Sequence, residues 1–190
     1  MFRYPDKPHA MIDRSALDAL DERYLAQLKM DGWRCLIEIG PRSTAKFVSR
    51  HNKALPISWD LQRRLEMALR VTGVRVLLDA EWIARRPACR EEALWIFDVL
   101  ELGGSRLWRR PTLQRYDMLK SLLPAEWIVP STITDYGAFF DAMQHRDDAE
   151  GIVLKDFSAP CIGSYRQSAN NQNWIRCKWR AGEAGLTRVA

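Results

Sequence analysis

A chain of 190 residues, 47% of them hydrophobic, has material for one globular domain and its core. Its longest apolar runs, such as VRVLLDA, are far too short to cross a bilayer, and the charged start MFRYPDKPHAMIDR lacks the apolar run of a signal peptide. The expectation is a cytoplasmic protein with no membrane partner; the net charge of +5 leaves a polyanionic partner open without requiring one.

In chain order, SALDALDE reads as a short helix with Ser15 as its N-cap. RYLAQLK and WRCLIEIG read as strands on either side of a Met-Asp-Gly turn. In the second, Trp33, Cys35, Ile37 and Ile39 fall on one face, with Arg34 and Glu38 on the other. TAKFVSR is a further strand, and Pro56 precedes a helix that aligns Leu61, Leu65, Ala68 and Leu69. VRVLLDAEWIA and EALWIFDVLELGG are apolar enough to be core strands. PTLQRYDMLKSLL is a helix opened by Pro111, and DYGAFFDAMQHR is another, aligning Tyr136, Phe139, Phe140 and Met143. GIVLKD and WIRCKWR are the last strands, joined by the turn-rich FSAPCIGSYRQSANNQN, which reads as a mobile connection. No repeat or linker interrupts the pattern. Strands that meander, with helices inserted between them, indicate an α+β fold in a single domain over 1–190.

Cys35, Cys89, Cys161 and Cys177 are widely spaced and do not cluster with His9, His51 or His145, so neither a disulfide framework nor a zinc site is expected. Basic residues gather beside tryptophan in RLWRRP and IRCKWR, an interleaving that suits phosphates and stacked bases as well as a solvated surface. More telling are charges inside apolar strands. Asp79 and Glu81 share a face of VLLDAEWIA; Glu150 precedes GIVLK, which ends in Lys155. Trp174, Arg176, Lys178 and Arg180 share a face of WIRCKWR. Embedded charges are costly unless paired or functional, and their number points to a cleft for a phosphate and its metal. In KMDGWR alone, Lys29 reads as a surface charge beside an ordinary turn.

Taken in order, KMDGWR, SRHNK, LLDAEWIA, WIFDVLE, EGIVLK and WIRCKW resemble the motifs of the covalent nucleotidyltransferase superfamily, closest to the adenylation domain of ATP-dependent DNA ligases. The resemblance spans about residues 24 to 180. It implies an α+β, ATP-grasp-like nucleotidyltransferase domain, with antiparallel sheets flanked by helices and a nucleotide cleft between them. By the same resemblance Lys29 is the nucleophile that takes AMP from ATP, a reaction that needs an unprotonated amine. Lys155, Arg176 and Lys178 would grip phosphate, and Glu150, with Glu81, would hold Mg²⁺. Glu81 and Arg34 correspond to ribose contacts, Gln27 and Leu28 to nucleotide-binding positions, and Phe97 to the ring that stacks on adenine, although Phe97 also reads as core. Arg50 and Lys53 in SRHNK correspond to nucleic-acid contacts. Asp79 and Asp98 read as turn residues or partners of cations, and Asp31 as a residue that fixes the turn.

Three positions depart from the family pattern: Gln27 where a glutamate is usual, Ala80 where Asp-Gly-Glu is usual, and Arg176 where lysine is usual. Gln27 leaves the strictness of ATP preference open, since an amide both donates and accepts. The eleven residues of RAGEAGLTRVA cannot make the OB-fold domain that follows in such ligases, so that module is expected to be absent from this chain, whether truncated, supplied by another protein or naturally lacking. The implied function is ligation of nicked duplex DNA by a monomeric, ATP-dependent enzyme. RNA ligation or capping-type transfer, and a non-catalytic nucleic-acid-binding relic, are the alternatives.

Overall fold

Two five-stranded sheets face each other across a groove in the computed structural model, which describes residues 5–41, 44–71, 73–84, 91–161, 163 and 169–179. The first sheet has the order β1 (Lys7–Met11), β10 (Asn170–Lys178), β9 (Ala149–Asp156), β2 (Tyr24–Met30), β8 (Ser131–Thr132). The second runs β4 (Lys46–Ser49), β3 (Trp33–Ile39), β5 (Val76–Ile83), β6 (Ala93–Leu102), β7 (Ser105–Arg106). The named strand pairs are antiparallel except β1 with β10. The α+β class read from the sequence is borne out.

Strand alternation gives each sheet two apolar faces, and each face has its own cover. Cys35, Ile37, Val76, Leu78 and Ile96 pack with Leu61 and Leu65 of α1 (Trp59–Ala68) and Leu119 and Leu122 of α2 (Thr112–Leu122). Ala26, Leu28, Ile152, Leu154 and Cys177 pack on Leu17 and on Tyr136 and Phe140 of α3 (Tyr136–Met143). Between the sheets a smaller cluster joins Leu36, Leu77 and Leu100 to Trp174. Helices therefore cover both outer faces and leave the inner faces to the groove.

Several elements differ from the sequence reading. SALDALDE forms a single 3₁₀ segment, Arg14–Ala19, entered from Asp13 rather than capped by Ser15. The Met-Asp-Gly turn does not close a hairpin: β2 lies in one sheet and β3 in the other, so the turn carries the chain across the groove. Strand β10 starts at Asn170, inside the stretch read as a loop, because its polar residues pair with β1. Strand β1 contains Pro8 and has little apolar pattern, which hid it. Residues 162 and 164–168 of that connection, like Arg180 and Cys89, lie outside the described residues. Cys35, Cys161 and Cys177 are buried thiols. Among the described residues no helix is long and apolar enough to cross a membrane.

Candidate active site

Sheet register builds one wall of the groove. Across β2, β9 and β10 the paired rows are Leu25–Lys155–Trp174, Gln27–Val153–Arg176 and Lys29–Gly151–Lys178. Residues paired directly project to the same face. Gln27, Lys29, Lys155, Arg176 and Lys178 therefore share a wall, although they come from three separate stretches of sequence. The centre of the last row is a glycine for a steric reason. A Cβ on Gly151 would lie 2.2 Å from the carbonyl oxygen of Cys177 and 2.8 Å from Lys178 Cα. Gly151→Ala is expected to destabilise the chain by about 1–3 kcal/mol, the range for overpacking. Urea unfolding checks this, and a wild-type midpoint would refute the close approach.

A β-bulge brings the carboxylate into this row. Lys29 opposes Gly151 and Met30 opposes Ala149, which leaves Glu150 as the extra residue on β9. Bulges re-aim side chains in this way. Glu150 Oε1 accepts a hydrogen bond from Lys29 Nζ, and Oε2 accepts one from Lys178 Nζ at 2.6 Å. Burial would raise the Glu150 carboxyl, but the Lys29 charge and the hydrogen bonds from both lysines hold it below its ordinary value.

The opposite wall comes from the second sheet. Arg34 donates from Nε to Asp79 Oδ1 at 3.0 Å and from Nη2 to Asp79 Oδ2 at 2.6 Å, while Nη1 reaches the Asp6 carbonyl at 2.8 Å. A guanidinium has five N–H donors, so two remain for a ligand. Glu81 pairs with Arg34 across β3 and β5. Burial pushes its carboxyl up to about 7, against the opposing charges of Lys29 and Arg34. A carboxyl raised in the folded state stabilises fully below its unfolded value of 4.5, and that contribution fades as pH rises through about 7. Glu81→Gln is expected to flatten this part of the stability–pH curve, measured by urea unfolding from pH 4 to 8.

Phe97 is also a bulge residue. Asp79 opposes Asp98 and Ala80 opposes Ile96, so Phe97 is the unpaired residue on β6. Its ring lies under two cations, with Arg34 Cζ 5.6 Å and Lys155 Nζ 5.0 Å from the centroid. The Lys155 ammonium also sits 4.6 Å from the Trp174 ring centroid. Burial lowers the Lys155 pKa, with Asp98 and Asp79 opposing the shift. Gln27 is 1% exposed and donates from Nε2 to the Phe97 carbonyl at 3.1 Å. That bond leaves Gln27 Oε1 as a buried acceptor with no partner among the described residues, and Arg176 Nε is a buried donor in the same state.

Asp79 and Asp98 are partners of cations, as one sequence reading had it. Arg115 Nε and Nη2 bond the two carboxylate oxygens of Asp98 at 2.9 and 2.8 Å, and the side chains are 0% and 4% exposed. Arg115 was not singled out from the sequence. Its signal was an arginine at the inward spacing shared with Leu119 and Leu122 in PTLQRYDMLKSLL. The Asp31 N–H donates to the Asp148 carbonyl at 2.9 Å, in keeping with a turn-fixing residue.

Three candidates stand apart. The Leu28 side chain is in the core on the face of β2 opposite Lys29, so only its backbone borders the groove. Arg50 and Lys53 are exposed in the turn after β4, where Arg50 Nε donates to His51 Nε2 at 3.1 Å. Among the described residues no group of three or more His, Cys, Asp or Glu side chains could hold a metal ion by itself.

No protein-family model matches this sequence. A protein named probable DNA ligase from Mycobacterium sp. (strain KMS) is 28% identical over 188 residues, covering 86% of this chain and 34% of the relative. The chain thus spans about a third of that relative's length. The structure of mycobacterial DNA ligase D complexed with ATP and MES matches with a TM-score of 0.70 at 16% identity, over 93% of this chain and 60% of that one. The chain has the nucleotidyltransferase fold of ATP-dependent DNA ligases. The same nucleotidyltransferase fold in the ATP complex of the bacteriophage T7 ATP-dependent DNA ligase gives a TM-score of 0.61 at 17% identity, over 92% of this chain and 68% of the other. The resemblance read from the sequence is borne out at this level.

Proposed function

We propose that this nucleotidyltransferase domain attacks ATP through Lys29, forms a lysyl-AMP intermediate and passes AMP to the 5′-phosphate of nicked duplex DNA. The observation that carries the reading is the cross-strand row Lys29–Gly151–Lys178, with Glu150 bulged between the two lysines. Once Glu150 releases it, the Lys29 ammonium gives its proton to solvent water, and the free amine bonds the α-phosphorus of ATP. The bond from that phosphorus to the bridging oxygen breaks, and pyrophosphate leaves. Lys178, Arg176 and Lys155 surround the phosphate with positive charge and stabilise what develops in the transition state. Glu81 and Arg34 face the ribose, and Phe97 supplies a ring for the base.

The donor set suits Mg²⁺. This ion uses one or two carboxylates and takes its remaining oxygens from phosphate and water, and Glu150 and Glu81 are the carboxylates available around Lys29. Bound there, it would neutralise charge on the phosphates.

The base edge is read by Gln27. Its Nε2 is committed to the Phe97 carbonyl, so the free Oε1 accepts a hydrogen bond from the adenine amino group. Guanine presents a carbonyl oxygen there and would leave two acceptors facing each other. Incubation with α-labelled ATP or GTP, followed by gel detection of covalent label, tests the whole reading. Label from ATP on wild-type protein supports it, and no label from either nucleotide removes it. Gln27→Leu is expected to cut the ATP-over-GTP preference about tenfold or more, the scale of one buried hydrogen bond in specificity.

A further inference from the structure

The largest exposed apolar side chain in the fold is Trp59, at 76% exposure on the first turn of α1, and it serves no part of the chemistry above. Register fixes where it lies. Ser49 pairs with Cys35, so the turn 50–53 projects past β4 at the Trp33 end of β3. Trp33 pairs with Trp82 at the same end of the second sheet, beside the Lys29 turn. The Trp82 Nε1–H donates to Glu92 Oε1 at 2.7 Å, and the Ser58 N–H donates to the same oxygen at 3.1 Å. The start of α1 is therefore tied to the end of the second sheet that carries the 50–53 turn and meets the turn leaving Lys29.

The helix also has a defined rotation. Glu66 accepts from the Ala45 N–H beside β4, whereas Arg64 lies over Trp127 beside β6. Trp59, Arg63 and Met67 form the ridge between these sides, with Trp59 leaning toward β4. Arg50, Lys53 and Arg63 are exposed, and none of them makes an ion pair among the described residues. Asp60 on the Arg64 side, Glu66 on the β4 side and Glu92 at the start of α1 add negative charge around this region.

We propose that Arg50, Lys53, Trp59 and Arg63 form one continuous surface for duplex DNA, extending the contact from the mouth of the groove to the first two turns of α1. It rests on the ligase reading above. The three cations hold backbone phosphates, and the indole packs against the sugars between them, since bases in a duplex are not free to stack on it. A duplex is chosen over an acidic protein because the patch continues from the Arg50–Lys53 turn at the reactive end of the sheet. It has the spaced cations and large aromatic that a phosphate backbone requires. The surface does no chemistry; it positions the strand flanking the nick.

The test uses fluorescence anisotropy with a labelled nicked duplex over a series of salt concentrations, on wild type, Trp59→Ala and Arg63→Ala. Trp59→Ala should weaken binding about tenfold, the scale of an exposed tryptophan hot spot. Arg63→Ala should reduce the slope of log K against log salt by about 0.9, one phosphate's share. Both variants should take AMP from ATP at the wild-type rate, because neither borders the groove. Unchanged affinity and slope in both would overturn the surface and leave an acidic protein as its occupant. The two readings fail separately. A wild type that takes no label from ATP removes the ligase reading, while DNA binding lost on Trp59→Ala would still support the surface.

Discussion

Lys29→Ala is expected to take no covalent label from ATP while unfolding at the wild-type urea concentration. Lys29 stands in β2 with its aliphatic stem on the groove side, where its side chain is 26% exposed. Truncation therefore removes little packing. What it removes is the amine: Gln27 carries an amide, and Lys178 stands two strands away in the same row, across Gly151. Lys29→Arg is the sharper variant. It keeps the charge opposite Glu150, and with it the local electrostatics, but a guanidinium stays protonated and cannot attack phosphorus. Both variants should still seal a nick that already carries 5′-AMP, because that substrate bypasses attack on ATP. Label that persists at wild-type level on either variant would exclude Lys29 as the nucleophile.

Glu150→Ala and Lys178→Ala should each slow single-turnover transfer of label by about 10²-fold or more, the scale of losing one charge-stabilising group. The geometry adds a further expectation. Glu150 bonds both lysines, so it and Lys178 act as a unit, and groups in one network are not additive. The double variant should be little slower than the worse single one. Independent multiplication of the two losses would show that the shared carboxylate is incidental to transfer. Normal rates in both single variants would show that the second half of the chain contributes nothing to the site.

Much of this architecture is legible in the sequence. Alternation placed Asp79 with Glu81, and Trp174 with Arg176 and Lys178, on shared faces, and the strands hold them there. The helical pattern of Leu61 and Leu65 gave α1, and the apolar density of VLLDAEWIA gave a core strand. Those patterns are local, with a period of two or of 3.6 residues, so they survive in one dimension. Strand β1 did not, since it is short, polar and paired at an edge where no apolar face is required.

The sequence by itself determined the residue types of the site and the order in which they arrive. It could not say which of them meet. Lys29 and Glu150 are 121 residues apart and touch only because β2 pairs with β9 and the ladder slips by one residue at Glu150. The crossing of the Met-Asp-Gly turn from one sheet to the other was equally hidden, since Asp-Gly suits a hairpin just as well. Gly32 sits where a Cβ would come within 2.4 Å of the Trp82 carbonyl oxygen, so the turn is pressed onto β5 beside Glu81. Bulges and sheet changes follow from packing between distant strands, and a local pattern carries no record of them. That is why the residue list came from the chain, while the clamp on Glu150, the free acceptor of Gln27 and the place of Trp59 came from the fold.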